Sequence, residues 1–341
     1  MSETYRAIRL GRFGTSFRDA AEIVELPLGE PGPGEIRVRN HFCGINGIFD
    51  TQIARNAVDY VKIGLPTFTG VEAIGTVDAV GPGVDTFAVG DNAVSVRFSG
   101  GYREANIAPA SSFVFAPGPE REWLALASTG VSALVALDQI AQLKAGETIA
   151  ISAAAGGLGH LLVQLAVLRK CHVIAVVGGP VKSAFVASLG AHRVIDYRAE
   201  DVGAVLAAEY ANRIDVAFDT VSGAIHDAFL ANLANHGRLV VGGAASDLEG
   251  NPEIVTGPRI AHAIYYKGAS VRGFMNGLLT DHWPEARERL FALYAAGRIA
   301  VHFDEPSFTG IEGVFDAVER LLSGQSMGKV MVDLRPQHSG G

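Results

Sequence analysis

From Thr148 to His160 the chain reads Thr-Ile-Ala-Ile-Ser-Ala-Ala-Ala-Gly-Gly-Leu-Gly-His. A short apolar run gives way to small residues, and an apolar helical pattern then continues to Leu168. That order is strand, tight turn, helix. Within it Ala154-x-Gly156-x-x-Gly159 has the spacing of a dinucleotide-binding turn, with alanine in the first glycine slot. Gly156 lets the backbone approach a pyrophosphate, and Gly159 lets the helix pack closely on the strand. The phosphates would sit on N–H groups at the helix N-terminus, so Ala155, Gly156, Gly157, Leu158 and Gly159 are the candidate contacts. Small residues also fill ordinary strand–helix turns, which leaves a purely structural turn as the alternative. A second strand, His172 to Val177, follows at the distance a βαβ unit needs and favours the nucleotide reading.

Two kinds of element surround this turn. From Tyr5 to about Ala116 the pattern is strand-like: Ile36 to Phe42 alternates apolar and polar residues after the turn Pro31-Gly-Pro-Gly34. Val71–Val80 and Val94–Val96 continue it, as an antiparallel, barrel-like domain would. After Arg121 the texture changes. Trp123 to Leu143 is helical, with an interruption expected near Thr129-Gly130. Strands at Thr148, His172, Arg193, Asp215, Arg238 and Ser270 then alternate with helices, which implies a doubly wound parallel sheet. A helix from Trp283 to Ala296 leads back to a last helix, Gly313–Leu322, and a strand, Lys329–Leu334. The expected fold class is α/β, with residues 123–298 inserted between 1–122 and 299–341.

Composition excludes several classes. With 28 basic and 36 acidic residues the chain is mildly acidic and lacks the basic excess of a nucleic-acid binder. No uninterrupted apolar run approaches the roughly 18 residues of a membrane span. Two cysteines, Cys43 and Cys171, make no disulfide framework, which suits a reducing cytoplasm.

Several stretches carry a resemblance: Gly44-Ile-Asn46, Ala153–Gly159, Lys170-Cys-His-Val-Ile174, Lys182-Ser-Ala-Phe185 with Ser188-Leu-Gly190, and Phe308–Glu312 with Gly328-Lys329-Val330. In this order the chain resembles the medium-chain dehydrogenase/reductase superfamily almost end to end. It is most similar to the zinc-free quinone oxidoreductase and enone reductase branch, in particular its prostaglandin reductase-3 group. The resemblance implies a GroES-like catalytic domain, an inserted Rossmann domain that binds NADPH, and a homodimer paired through Ser270–Phe274. Relatives that oxidise alcohols hold zinc through cysteine and histidine; here those positions carry Asn46 and Val71, and no metal site is expected. Strand His172–Val177 ends without the acid that an NAD site places on the ribose hydroxyls. Lys182 instead matches the lysine that relatives use for the 2′-phosphate, although a solvated lysine is the plain alternative. Tyr197 matches a tyrosine on the adenine side. Gly178 and Gly179 stand where relatives often carry hydroxyls. By the same matching Ser132, Thr220, Gly243, Ser246, Phe274 and Lys329 border the cofactor.

For the chemistry, the resemblance points to hydride transfer to the β-carbon of an α,β-unsaturated carbonyl, with charge building on the carbonyl oxygen. Tyr60 is the candidate donor to that oxygen, although Gly47-Ile-Phe-Asp50 makes the loop one residue longer than usual. Asn46 and Asp50 are expected to fix the loop and position the nicotinamide side. A quinone reductase is the second enzymatic reading, and a nucleotide-binding structural protein without turnover is the third.

Overall fold

A computed structural model describes residues 3–58, 62–246, 254–256, 258–305 and 307–336. The chain divides into two compact units, Met1–Ser128 with Phe303–Gly341, and Thr129–His302.

The first unit contains β1 (Thr4–Leu10), β2 (Ala21–Pro27), β3 (Glu35–Gly44), β4 (Thr67–Phe68), β5 (Glu72–Val80), β6 (Asn92–Ser95), β7 (Ala105–Pro109) and β8 (Phe113–Ala116). β1 pairs with β2 and β4 in a small antiparallel sheet. The backbone of the unit is β3. One edge pairs with β5 along its length, while the other pairs with β7 at residues 35–39. Alternation along β3 buries Ile36 and Val38 while Arg37 and Arg39 reach outward to Asp78. Its C-terminal end buries Cys43 beside Tyr102, Ile53 and Val332 in one core.

The second unit holds β9 (Thr148–Ile151), β10 (His172–Val177), β11 (Arg193–Asp196), β12 (Ile214–Asp219), β13 (Leu233–Val241) and β14 (Ser270–Gly273). All pairs are parallel, in the order β11-β10-β9-β12-β13-β14. The order reverses about β9, whose two sides carry β10 and β12. In open sheets of this kind a ligand sits beyond the strand C-termini at that reversal. Ile149–Ile151, Val173–Val176 and Val216–Phe218 are fully buried, which explains why these strands read as unbroken apolar runs rather than alternating ones. The chain returns to the first unit through β15 (Phe308–Thr309) and β16 (Met331–Asp333); β16 pairs with the C-terminal end of β3.

One expectation is corrected. Thr129-Gly130 does not interrupt the helix after Arg121. The segment Leu126–Gly130 widens into a π turn, a second follows at Ala136–Ile140, and the helix runs on. Arg121–Ile140 is therefore 20 residues long and, by length and composition, apolar enough to cross a bilayer, although Ser128, Thr129, Ser132 and Asp138 interrupt its apolar run. Most of it is buried within the protein, with Leu124–Leu126 and Ala133–Leu137 nearly inaccessible, as in a core helix.

Candidate functional site

The turn after β9 has the geometry its spacing implied. Ala153 adopts a left-handed φ of 46°, and its carbonyl accepts from Gly156 N–H at 2.9 Å, which closes the turn. A Cβ on Gly159 would lie 2.3 Å from Ala153 O and 2.7 Å from Ala154 Cα, so the helix Gly159–Leu168 leaves the turn at a separation that only glycine permits. A Cβ on Gly156 would meet Ala153 O at 3.2 Å and nothing else within 4 Å, so the outer side of this backbone is open to an anion. These residues fit a pyrophosphate. His160, fully buried one residue into the helix, contacts Gly156 O through Nδ1 at 3.0 Å and accepts His302 N–H at Nε2, 3.2 Å. Donation to one and acceptance from the other define a single neutral tautomer.

The remaining candidates in this unit converge on the C-terminal ends of the parallel strands. Lys182 lies in the first turn of the helix Pro180–Ser188 after β10, and Tyr197 follows β11. Thr220 follows β12, and its N–H donates to Ser152 Oγ at 2.9 Å. Gly243 packs at Thr220 O, Ser246 N–H donates to Val221 O, and Phe274 N–H donates to Val241 O beyond β14. Ser132, on the helix that opens the unit, accepts from Asn276 Nδ2 at 2.9 Å.

Two features here were invisible in the sequence. A Cβ on Gly178 would lie 2.4 Å from the Tyr197 hydroxyl, so the tyrosine fills the space that a side chain at this position would take. β10 ends without an acid, but the adjoining β11 supplies one. Asp196 accepts Gly179 N–H at 2.7 Å and Arg198 N–H at 3.0 Å, and these two bonds hold its carboxyl below the ordinary range. At the end of β12, buried Asp219 accepts from Ser152 Oγ at 2.8 Å, from Val221 and Ser222 N–H, and contacts His226 Nδ1 at 3.2 Å. Burial pushes the Asp219 carboxyl up, but the bonds from His226, Val221 and Ser152 outweigh it and leave it lowered.

The barrel unit holds a second cluster. Asn46 begins the helix Gly47–Ala54, but its side chain does not cap it; Nδ2 donates instead to Glu72 Oε1 at 2.9 Å. Glu72 is fully buried and its Oε1 lies 2.5 Å from Lys329 Nζ. Lys329 also donates to Ile45 O at 3.0 Å and reaches Asn46 Oδ1 at 3.5 Å. Its ammonium is thus committed to this cluster, which the matching that set it beside the cofactor did not foresee. Asp50, one turn into the same helix, accepts from the Tyr102 hydroxyl at 2.5 Å. Burial raises the Asp50 carboxyl to about 7 against the opposing pull of Tyr102 and Lys329, and raises Tyr102 well above its usual value. Glycines make room for the cluster: a Cβ on Gly44 would lie 2.3 Å from Glu72 Oε1, and one on Gly70 2.3 Å from Tyr102 N. Tyr102 and Glu72 escaped sequence reasoning, since a strand residue and a loop tyrosine carry no local mark of pairing. Tyr60 lies outside the described residues.

The cluster does not fit zinc. An amide stands at Asn46, an ammonium neutralises the carboxylate, and burial raises the Cys43 thiol far from the thiolate a metal needs. Among the described residues no three His, Cys, Asp or Glu side chains converge as ligands.

Residues 32–118 match the alcohol dehydrogenase GroES-like domain and residues 157–292 the zinc-binding dehydrogenase family. With the 3-2-1-4-5-6 order of the parallel sheet and 30–34% identity to full-length relatives, the chain belongs to the medium-chain dehydrogenase/reductase superfamily. Prostaglandin reductase-3 of Bos taurus is 33% identical over 95% of this chain and 88% of its own length. A probable quinone oxidoreductase of Leishmania amazonensis is 30% identical over 97% and 98%. These place it in the quinone oxidoreductase and enone reductase branch. The crystal structure of Escherichia coli quinone oxidoreductase complexed with NADPH superposes with a TM-score of 0.82 at 27% identity, covering 96% of this chain and 99% of that one.

Proposed function

We propose that this chain is an NADPH-dependent, zinc-independent reductase that delivers hydride to the β-carbon of α,β-unsaturated ketones and related alkenals, including substrates like 15-oxoprostaglandins. NADPH, when bound, supplies the hydride. The observation that carries the reading is an intact nucleotide turn in a chain whose barrel unit replaces metal-binding chemistry with the Asn46–Glu72–Lys329 cluster. Residues 155–159 hold the pyrophosphate, Lys182 takes the 2′-phosphate, and Tyr197 lies on the adenine side. Ser132, Thr220, Gly243, Ser246 and Phe274 border the cofactor. Lys329 borders the cofactor as well and holds Asn46 through Glu72. Asn46 and Asp50 fix their loop and position the nicotinamide side, and Tyr60 donates a hydrogen bond to the carbonyl oxygen as charge builds there. The α-carbon takes its proton from solvent or a nearby donor.

The functional domains in this reading are a GroES-like catalytic domain, 1–122 with 299–341, and a Rossmann NADP-binding domain, 123–298. A cytoplasmic homodimer paired through β14 completes it. Support comes from that strand's place at the end of the sheet order and from Tyr265, Tyr266 and Leu278, each 77% or more exposed in the same unit.

The names of the relatives also support NADPH:quinone oxidoreduction as a second reading. Labelled NADPH separates the possibilities. With an enone, deuterium should appear at the β-carbon of a saturated ketone. Label on the carbonyl carbon of an alcohol would refute the assignment, and turnover with quinones alone would favour the second reading.

A further inference from the structure

Arg103 begins from a fixed backbone. Its N–H donates to Gly101 O at 2.9 Å, its carbonyl accepts from Asn40 Nδ2 at 2.8 Å, and it faces Ala7 across an antiparallel bridge. The side chain is 9% exposed and lies over Phe68, with Cζ 4.6 Å from the ring centroid. Among the described residues it has no ion pair, and its Nε is sealed from solvent without a partner. The acid next along the chain does not answer it, because Glu104 is turned to Arg6 at 2.6 Å. Burial lowers the Arg103 pKa, Tyr5 opposes that shift, and the exposed guanidinium of Arg97 adds to it. A guanidinium nevertheless stays charged in proteins, so this is a cation held largely out of water and, among the described residues, without a paired anion.

We infer that Arg103 is the recognition site for a carboxylate carried on an apolar body. The ring of Phe68 covers one face of the guanidinium, whose planar fork of donors matches a carboxylate in two parallel bonds. The half-buried ring of Phe68 offers aromatic surface for the rest of the molecule. A phosphate dianion would call for more donors than one buried and one exposed guanidinium. The inference rests on the proposed enone reduction in one respect: the carboxylate is the acid group of an acidic conjugated substrate.

Two measurements test it. Hexanoate, and separately inorganic phosphate, are titrated calorimetrically into the protein and its Arg103→Gln, Arg103→Lys and Arg97→Gln variants. Hexanoate should bind the parent protein more tightly than phosphate does, and at least tenfold more weakly after Arg103→Gln. Lysine should restore only part of the loss, because a point charge lacks the fork. In parallel, the ratio of kcat/KM for an enone with a terminal carboxylate to that for its methyl ester should fall at least tenfold in Arg103→Gln. If circular dichroism shows that variant unfolded, Arg97→Gln carries both comparisons at an exposed position, with a smaller loss expected. Equal hexanoate binding with and without Arg103, no binding to the parent protein, or phosphate binding the tighter would each overturn the assignment. Reduction of neither enone would count against the proposed activity, while the calorimetry would still decide the site.

Discussion

Glu72→Gln is the perturbation whose consequence the barrel unit determines most sharply. Glu72 is fully buried, Lys329 is about 5% exposed, and the pair is separated by 2.5 Å. Glutamine preserves the volume and can still accept a hydrogen bond, but it leaves the ammonium without a counter-charge, with only neutral acceptors such as Ile45 O at 3.0 Å and Asn46 Oδ1 at 3.5 Å. Removing one partner of a buried ion pair costs about 3–5 kcal/mol, because the other charge remains out of water. A unit of this size loses about 2–4 °C of melting temperature per kcal/mol, so the transition should fall by about 6–20 °C. Lys329→Met should cost a similar amount, since it strands a carboxylate whose Oε2 already has no partner. The double variant Glu72→Gln/Lys329→Met removes both charges and should recover most of the loss. Thermal melts and urea midpoints of the four proteins at pH 7 measure the coupling directly. A loss below about 1 kcal/mol for Glu72→Gln would mean that the ammonium finds solvent, and the buried-pair reasoning would be wrong.

Lys182→Ala should remove one charge-assisted contact to the 2′-phosphate, worth about 1.5–3 kcal/mol, and weaken NADPH with little change for NADH; equal losses for both cofactors would mean that Lys182 supports the fold instead. Tyr60→Phe should lower kcat by about 10²–10³-fold, the loss typical of one oxyanion donor, and a smaller effect would transfer that role to a ribose hydroxyl or water. Asp50 has a folded-state pKa of about 7, raised by burial above the unfolded value of about 3.9. The folded state therefore binds the extra proton, and Asp50 makes stability fall as pH rises between those two values, then level off. Asp50→Asn keeps an acceptor for Tyr102 and should shrink the difference in melting temperature between pH 5 and pH 8; an unchanged difference would assign the slope to other groups. Light scattering at micromolar concentration should give the mass of a dimer, and a monomer mass would contradict pairing through β14.

The nucleotide turn was legible in the sequence because its requirements are local. Gly159 is set by backbone atoms five and six residues away, so spacing alone carries the geometry. The six parallel strands were legible too, since burial on both faces writes each as a short apolar run between helices. The identities at positions 46 and 71 likewise determined that the zinc ligands of alcohol-oxidising relatives are absent. What those residues do instead was decided only by packing. Asn46 is expected to fix its loop, yet nothing in the sequence shows that its amide meets Glu72, or that the ammonium binding both comes from 283 residues further along the chain. The helix at Thr129-Gly130 reads as broken because glycine is a poor helix former, whereas buried neighbours hold it as a π turn. Asp196 reaches Gly179 because β11 lies beside β10, and the side chain of Arg103 has no acid partner among the described residues because Glu104 turns to Arg6. Contacts within one turn follow from residue order, but the partner of a buried charge is chosen by which strands and helices the cores bring together, and that is a property of the fold alone.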